Sequence, residues 1–289
     1  MFVPFLPLSA LLQRTHCFCQ LSSTSAEGKV TTLDLSLRME ARSATCNMPS
    51  VPYAIRPLTA SDSPQLVDFL RRFFLRDEPL NAAMGIMANG RQSWPEQERF
   101  LLEPLSQGVS LQAVDTVSGK IMGVFINRLH QPGRQGDTVR EVETCPDPAF
   151  REILRFITSV DLQVSEKLCA LFPDVHLHRL EIVAGSVDPA ARNCGIGIAL
   201  VEHTNQLAKD RGIPLVRVDC SSVFSAKGIE RCGFQKIFSI RFDSYKCDGK
   251  VIFPPTKESG DEYITYVKRL TPRPHLITLH AAANMQCHI

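Results

Sequence analysis

The spacing of apolar residues changes along the chain, and each change predicts a different element. Between Pro148 and Leu171 apolar residues recur every three or four positions, which predicts one long amphipathic helix. Shorter runs rich in β-branched and aromatic residues predict strands. These predicted strands are Tyr53–Thr59, Leu177–Val187, Pro214–Cys220 and Glu262–Leu270.

Capping and breaking residues place the other helices. A helix is expected to begin at Ser61 or Asp62 and to end before Pro79, because proline forces the preceding residue out of helical dihedral angles. Ser93 and Glu96 have the spacing of a capping box, which predicts a second short helix within Ser93–Glu103. A third helix follows Val187 and ends at Arg211-Gly212, and a short fourth one lies between Ser221 and Gly233.

Turn residues predict two β-hairpins. Val109–Arg128 contains two β-rich runs around Ser118-Gly119, and Gln235–Phe253 contains two more around Asp248-Gly249. The segment Leu129–Pro146 is polar and is expected to be a loop. The order of strands and helices predicts an α/β protein, a mixed sheet with helices on both faces.

The predicted elements lie within one part of the chain. We expect residues 1–50 to be a disordered leader, 51–270 to form one domain, and 271–289 to be a flexible tail. The first apolar run has no basic residue ahead of it, so it is a poor signal peptide, and Glu27, Asp34 and Glu40 argue against a mitochondrial leader.

Composition narrows the class of partner. The formal net charge is +2 without a Lys/Arg cluster, so nucleic acid and anionic membranes are not expected partners. No apolar run approaches the ~20 residues of a membrane-spanning helix. The ten cysteines form no CxxC pair and no zinc-type spacing, so we expect free thiols, no metal and a reducing cytoplasmic location.

The segment between the strand ending at Val187 and the next helix carries the candidate chemistry. It contains Arg192-x-x-Gly195-x-Gly197 at the predicted start of that helix. Unpaired N–H groups at a helix start attract anions, and glycines let a phosphate approach the backbone, so we expect a pyrophosphate site. A dinucleotide GxGxxG would need glycine where Leu200 stands, and the Gly-Lys-Ser/Thr ending of a P-loop is absent.

This segment resembles the acetyl-CoA-binding signature of the GCN5-related N-acetyltransferases, abbreviated GNAT. The resemblance implies the GNAT fold, whose mixed, mostly antiparallel central sheet has splayed strands and helices on both faces. It also implies that the pantetheine arm pairs with the strand end and that the loop holds the diphosphate. The implied acetyl-CoA-binding residues are Gly185, Ser186, Val187, Arg192, Asn193, Cys194, Gly195, Ile196 and Gly197. Ala191 and Asn193 replace an aromatic residue and a glycine that are common in the family.

A second segment, "FFLRDEPLN" from Phe73 to Asn81, resembles the insect-type arylalkylamine N-acetyltransferases, the dopamine N-acetyltransferase group. In that family the glutamate of Asp-Glu-Pro-Leu-Asn is the catalytic base, which implies this role for Glu78. Two serines four residues apart are also typical, and Ser221 and Ser225 have that spacing. The resemblance implies direct acetyl transfer in a ternary complex to a small aromatic amine such as dopamine, serotonin, octopamine or tryptamine, by a monomer.

Several alternatives stay open at this point. Within the same fold the acceptor would be a polyamine, an amino acid or a protein lysine, and a third possibility is a non-catalytic acyl-CoA-binding module. Ser221 and Ser225 would then only cap a helix. A covalent route is disfavoured because Cys194 lies in the phosphate loop, away from the thioester, and because no histidine lies close in sequence to Cys220. Further residues considered are His176 and His178, expected to lead into a strand, and Phe73, Phe74, Phe224 and Phe242, possible pocket residues or core.

Overall fold

A computed structural model describes residues 52–87, 90–130 and 135–271, with side chains from residue 140 onward in the last range. The expected leader, residues 1–50, lies outside the described residues. So does the expected tail beyond Thr271. Within the described part of the chain, no helix is long and apolar enough to cross a membrane.

The described residues contain nine strands and seven α-helices. The strands are β1 (Tyr53–Pro57), β2 (Leu111–Asp115), β3 (Ile121–Leu129), β4 (Arg179–Val187), β5 (Leu215–Cys220), β6 (Gln235–Arg241), β7 (Lys246–Cys247), β8 (Lys250–Val251) and β9 (Glu262–Arg269). The helices are α1 (Ser63–Phe73), α2 (Pro79–Ala83), α3 (Pro95–Leu102), α4 (Gln135–Thr144), α5 (Pro148–Leu171), α6 (Ile196–Asp210) and α7 (Val223–Arg231).

The central sheet has seven strands in the order β1-β2-β3-β4-β5-β9-β6. Every neighbouring pair is antiparallel except β4 and β5, which are parallel. The parallel step exists because α6 carries the chain back across one face of the sheet before β5 begins. The predicted fold class, a mixed and mostly antiparallel sheet, is confirmed.

Each face of the sheet has its own hydrophobic core. On one face, α1, the N-cap of α3 and α5 contribute Phe69, Trp94 and Phe156, all at most 2% exposed. On the other face, α6 and α7 contribute Leu200 and Ile229. Strands buried on both sides are rich in apolar residues without strict alternation, as β3 is over Ile121–Leu129. Helices therefore cover both faces, as predicted.

The two parallel strands separate towards their carboxyl ends. Their register runs from Arg179↔Leu215 to Ile182↔Val218 and ends there. β4 nevertheless continues to Val187, paired on its other edge with β3 as far as Val187↔Gly123. The edge of β4 that faces β5 is therefore open beyond Ile182, and this confirms the predicted splay of the two strands.

Three local predictions are wrong. The polar stretch Leu129–Pro146 contains α4, which is helical because it lies against α5 and Val142 packs into the core. The helix predicted to begin with a Ser93 capping box is instead preceded by Trp94, whose N–H donates to Glu98 Oε1 at 2.9 Å. The hairpin at Asp248-Gly249 joins only the short strands β7 and β8, because β6 pairs with β9.

Candidate functional site

The loop between β4 and α6 is shaped by its own backbone bonds. Asp188 N–H donates to the Met122 carbonyl at 2.8 Å, and the Asp188 carboxylate accepts from Ala190 N–H at 2.9 Å. Asn193 (φ 65°) and Gly195 (φ 79°) then take left-handed conformations. Asparagine and glycine are the residues that tolerate this region best, so the sequence allows the chain to turn sharply into α6.

The first turn of α6 offers unobstructed backbone amides. Ile196, its first residue, is 1% exposed and anchors the helix in the core. An added Cβ at Gly197 would approach nothing closer than Val187 Cγ2 at 4.0 Å, and one at Gly195 would be 3.9 Å from the Tyr53 hydroxyl. The space over these glycines is open, so an anion can reach the amides and the positive end of the helix dipole.

Arg192 connects this loop with the segment that contains Glu78. Its Nε donates to the Val187 carbonyl at 3.3 Å, and its Nη2 lies 3.6 Å from Asp77 Oδ2. The Arg192 side chain is half exposed, so most of its donors remain accessible to a ligand. Asp77 also pairs with Arg76 at 2.7 Å. The two segments singled out in the sequence therefore meet in space.

Glu78 is held in place by the turn that begins α2. Pro79 requires an extended residue before it, and Glu78 has φ −68° and ψ 128° as the N-cap. Its Oε2 accepts from Asn81 N–H at 2.8 Å, and its own N–H donates to the Phe74 carbonyl at 3.0 Å. The Ser221 hydroxyl, directly after β5, also donates to its carboxylate.

The surroundings of Glu78 favour its protonated form. Loss of hydration raises the pKa of this carboxyl group, and this effect exceeds the lowering by hydrogen bonds from Asn81 N–H, the Ser221 hydroxyl and Leu80 N–H. A carboxylate with a raised pKa is a stronger base than an exposed one. Glu78 is therefore suited to accept a proton from a bound donor.

The two predicted serines have different surroundings. Ser221 contacts Glu78, whereas Ser225 lies in the first turn of α7. Ser222, which the sequence analysis missed, is the cap of this helix, since its Oγ accepts from Ser225 N–H at 3.1 Å. The Ser225 hydroxyl donates to the Ser222 carbonyl at 2.9 Å and bonds to the Cys220 thiol. The structure thus brings only Ser221 to Glu78.

The two cysteines considered for a covalent route, Cys220 and Cys194, have different surroundings. Burial raises the pKa of the Cys220 thiol to about 12, although the bond from Ser225 opposes the shift. Cys220 is 2% exposed, so it remains a thiol rather than a thiolate at neutral pH. Cys194 lies in the β4–α6 loop with its Sγ 3.7 Å from the Arg192 carbonyl. This geometry gives no support to a covalent route.

The open end of β4 carries Gly185, Ser186 and Val187, as predicted. Gly185 is exposed although it lies within a strand. A Cβ there would be 2.8 Å from Cε1 of Phe125 on the paired strand β3, so only glycine fits. The backbone of this segment can therefore pair with an extended ligand that enters between β4 and β5.

One aromatic residue near Glu78, Tyr263, belongs to a buried aromatic cluster. Tyr263 of β9 lies close enough to Glu78 and Asp219 that their charges, after burial itself, raise the Tyr263 pKa well above its usual value. Its ring contacts Phe156 edge-on with centroids 5.2 Å apart. Phe242 belongs to this buried cluster, while Phe224 is 73% exposed on α7. Tyr263 and Asp77 were missed in the sequence because their partners are far away along the chain.

The remaining candidate residues lie elsewhere. His176 and His178 precede β4 at the end opposite Val187, as expected from their sequence position. Phe73 and Phe74 are half-buried at the end of α1 and pack against the first core. Phe242 is 1% exposed, so the structure makes it a core residue rather than part of a pocket.

Comparison with known proteins identifies the fold. No family model matches the chain. Its structure is similar to arylalkylamine N-acetyltransferase 2 from Aedes aegypti, with a TM-score of 0.69 and 24% sequence identity over 76% of this chain and 99% of that one. It is also similar to mosquito arylalkylamine N-acetyltransferase-like 5b, with a TM-score of 0.67, 24% identity and coverage of 76% and 100%.

A third similar structure is that of an enzyme with a different activity. This is the Drosophila melanogaster polyamine N-acetyltransferase, which catalyses the formation of N-acetylagmatine. Its TM-score is 0.65 at 24% identity, again over 76% of this chain and 100% of that one. Together these similarities show that the chain has the GNAT fold.

Proposed function

We propose that this chain is an acetyl-CoA-dependent N-acetyltransferase for arylalkylamines and that Glu78 is its catalytic base. The supporting observation is the meeting of two segments: Asp77, next to Glu78, pairs with Arg192 of the β4–α6 loop. Acetyl transfer from a coenzyme A thioester requires a base on one side of an open strand end and an anion-binding helix N-terminus on the other.

The β4–α6 loop suits the diphosphate of acetyl-CoA. Open backbone amides at Gly195, Ile196 and Gly197 would hold the phosphates, with Arg192 beside them. The free edge of β4 at Gly185, Ser186 and Val187 would pair with the pantetheine amides. Asn193 and Cys194 would contribute their backbone to the same cradle. The thioester then points towards the carboxyl end of β5.

The proton transfers follow from the amine. An alkylamine has a pKa near that of lysine, ~10, so it binds mostly as the ammonium ion. Glu78 takes one proton, directly or through water, and the freed nitrogen attacks the thioester carbonyl carbon. Backbone N–H near Val187 stabilises the oxyanion. The C–S bond then breaks, and the extra proton still carried by the nitrogen passes to the coenzyme A thiolate through Ser225 or a water.

An aromatic side chain near Glu78 favours an arylalkylamine over a polyamine. Tyr263 lies close enough to Glu78 for the Glu78 charge to raise its pKa, while the Phe156 and Phe242 rings behind it are buried in the core. The ring of an arylalkylamine packs favourably against a tyrosine, whereas a polyamine chain would gain more from further carboxylates. Agmatine remains the second candidate acceptor, because the polyamine enzyme shares the fold at the same identity as the arylalkylamine enzymes.

A panel of amines tests this proposal. The purified chain is assayed with acetyl-CoA and tryptamine, dopamine, octopamine, agmatine, spermidine or a lysine peptide, and thiol release is followed. We expect the highest kcat/KM among the aromatic amines. Highest activity with agmatine or spermidine would show that the acceptor is a polyamine and not an aromatic amine. Acetyl-CoA binding without any turnover would show that the chain is a binding module.

Gly195 provides a separate test of the diphosphate cradle. Gly195→Ala adds a Cβ at a φ of 79° over the amides of α6, so we expect acetyl-CoA to bind about tenfold more weakly, in line with a conformational cost of about 1–2 kcal/mol. Isothermal titration calorimetry measures the affinity. Gly228→Ala in α7 is the matched control, since a Cβ there meets nothing within 4 Å. Equal affinity in both variants would contradict the cradle.

A further inference from the structure

Two buried amide side chains, those of Asn81 and Gln97, lie next to the turn that contains Glu78. Gln97 Nε2 donates to Asn81 Oδ1 at 3.0 Å, and the two residues are 6% and 1% exposed. The other ends of the pair, Asn81 Nδ2 and Gln97 Oε1, have no hydrogen-bond partner. Burying unsatisfied polar atoms lowers stability, so packing alone does not explain why polar residues occupy these positions.

The hydrogen bond between Gln97 and Asn81 is connected to the Glu78 carboxylate through Asn81. Asn81 receives the bond on its side chain, while its backbone N–H donates to Glu78 Oε2 at 2.8 Å. Helix α2 has only five residues, Pro79–Ala83, and so short a helix does not hold its own geometry in water. The direction of this N–H therefore depends on what fixes the Asn81 side chain.

Gln97 is well placed to provide that anchor. It lies in α3 between Trp94 and Glu98, and Glu98 is bound by Arg71 of α1 through two bonds of 2.8 Å. Glu98 also accepts from Trp94 N–H at 2.9 Å, which fixes the first turn of α3. The anchor is thus part of a rigid α1–α3 contact rather than of a flexible loop.

We propose that Asn81 and Gln97 are positioning residues that keep the Glu78 carboxylate aligned with Ser221 at the end of β5. Their hydrogen bond fixes the Asn81 N–H, and this N–H fixes the carboxylate. The inference rests on the proposed function only for the role of Glu78 as base. The positioning itself is a property of the free protein.

The groups facing Glu78 determine the sign of the expected effect. They are Ser221 after β5, Tyr263 on β9 and, on its own turn, Asp77 with its partner Arg192. Asn81 N–H stabilises the ionised carboxylate, so loosening it makes the proton harder to remove. Losing the Gln97 anchor should therefore raise the pKa of Glu78 further.

The test replaces Gln97 with a side chain of similar volume that cannot make the hydrogen bond. Gln97→Met removes the bond to Asn81 and keeps an unbranched side chain. The Glu78 titration is followed by carboxyl ¹³C NMR, assigned with Glu78→Gln, and the acid limb of kcat/KM is measured with the best amine. We expect both to move upward by about 0.5–1 pH unit, the size of one weakened hydrogen bond, with acetyl-CoA affinity unchanged.

Gln112→Met is the matched control. Gln112 is also buried, donates to the Pro57 carbonyl at 3.2 Å, lies beside the Asp62 carboxylate, and leaves its Oε1 unpartnered. It should lose stability to a similar degree without any change in the Glu78 titration. An unchanged titration in Gln97→Met, or an equal shift in Gln112→Met, would overturn the positioning role.

A second variant keeps the proposal testable if Gln97→Met does not fold. It also tests whether Asn81 and Gln97 act through the same hydrogen bond. Asn81→Ala removes the other partner of the bond, and we expect an upward shift of similar size. The double variant should shift no further than either single one, because all act through one bond; additive shifts would contradict this. If the wild-type chain acetylates no amine, the proposed function fails, whereas the NMR titration still decides the positioning role.

Discussion

Replacing Glu78 with glutamine is expected to lower kcat about 10²–10⁴-fold with the best amine while acetyl-CoA affinity stays the same. Glutamine keeps the size of the side chain and can still accept from Asn81 N–H, so the turn into α2 is retained. It has no carboxylate to take the proton from the ammonium ion. Steady-state kinetics measures the loss, and calorimetry measures acetyl-CoA binding.

The pH profile gives this prediction a second readout. Burial raises the pKa of Glu78, so kcat/KM of the wild type should fall as the pH drops through that raised value. The acid limb should disappear from the residual activity of Glu78→Gln. An acid limb that persists unchanged would assign the proton transfer to another group.

Asp147→Asn is the matched control for Glu78→Gln. Asp147 is also an N-cap carboxylate preceding a proline, and it accepts from Ala149 N–H and Phe150 N–H at 3.0 Å at the start of α5. Its loss should affect stability but not kcat. A comparable decrease of kcat in both variants would mean that helix capping, not proton transfer, explains the effect at Glu78.

Local sequence patterns were sufficient to predict most of the elements. The periodicity of α5 and the apolar runs of β4, β5 and β9 depend on which residues face a core, and such patterns are visible along the chain. Partner choice is different: β6 contains the same kind of residues whether it pairs with β7 or with β9. The hairpin prediction failed for this reason.

The features of the candidate site also differ in whether the sequence predicts them. The glycines before α6 and the Glu78-Pro79 turn have local signatures, since each depends on backbone conformations that few residues allow. The ion pair of Asp77 with Arg192 and the bond of Gln97 to Asn81 link distant segments, so no spacing rule reveals them. The Glu78-Pro79 turn could be predicted, but the distant residues that contact it could not.

A largely buried ion network makes Arg217 a sensitive position for stability. Arg217 lies on β5 and is 3% exposed. Its guanidinium group pairs with Asp161 of α5, with Asp219 at 2.8 Å and with Glu181 of β4 at 3.7 Å. Removing a cation that serves three carboxylates leaves their negative charge with weaker compensation in a largely buried network, although Arg179 and Arg128 remain beside Glu181.

Arg217→Met should therefore lower the free energy of unfolding at neutral pH by about 3–5 kcal/mol. Methionine fills most of the space of the arginine stem, so the loss comes mainly from the charges. Urea denaturation measures the change. Arg241→Met is the control, because Arg241 pairs with Asp243 on the surface and such a pair contributes only about 0–1 kcal/mol.

The pH dependence separates charge from packing as the origin of this loss. Burial alone would raise the pKa of Glu181, but the bond from His130 and the charges of Arg217, Arg179 and Arg128 hold it well below its usual range. A depressed pKa in the folded state gives stability that is present above the unfolded pKa, about 4.3, and is lost as the pH falls below it. In Arg217→Met the folded pKa of Glu181 rises, so part of this stability is already missing at neutral pH. The difference between wild type and variant should thus be largest near neutral pH and shrink as the pH falls through the folded-state pKa of Glu181 in the variant, whereas a difference independent of pH would assign the loss to packing.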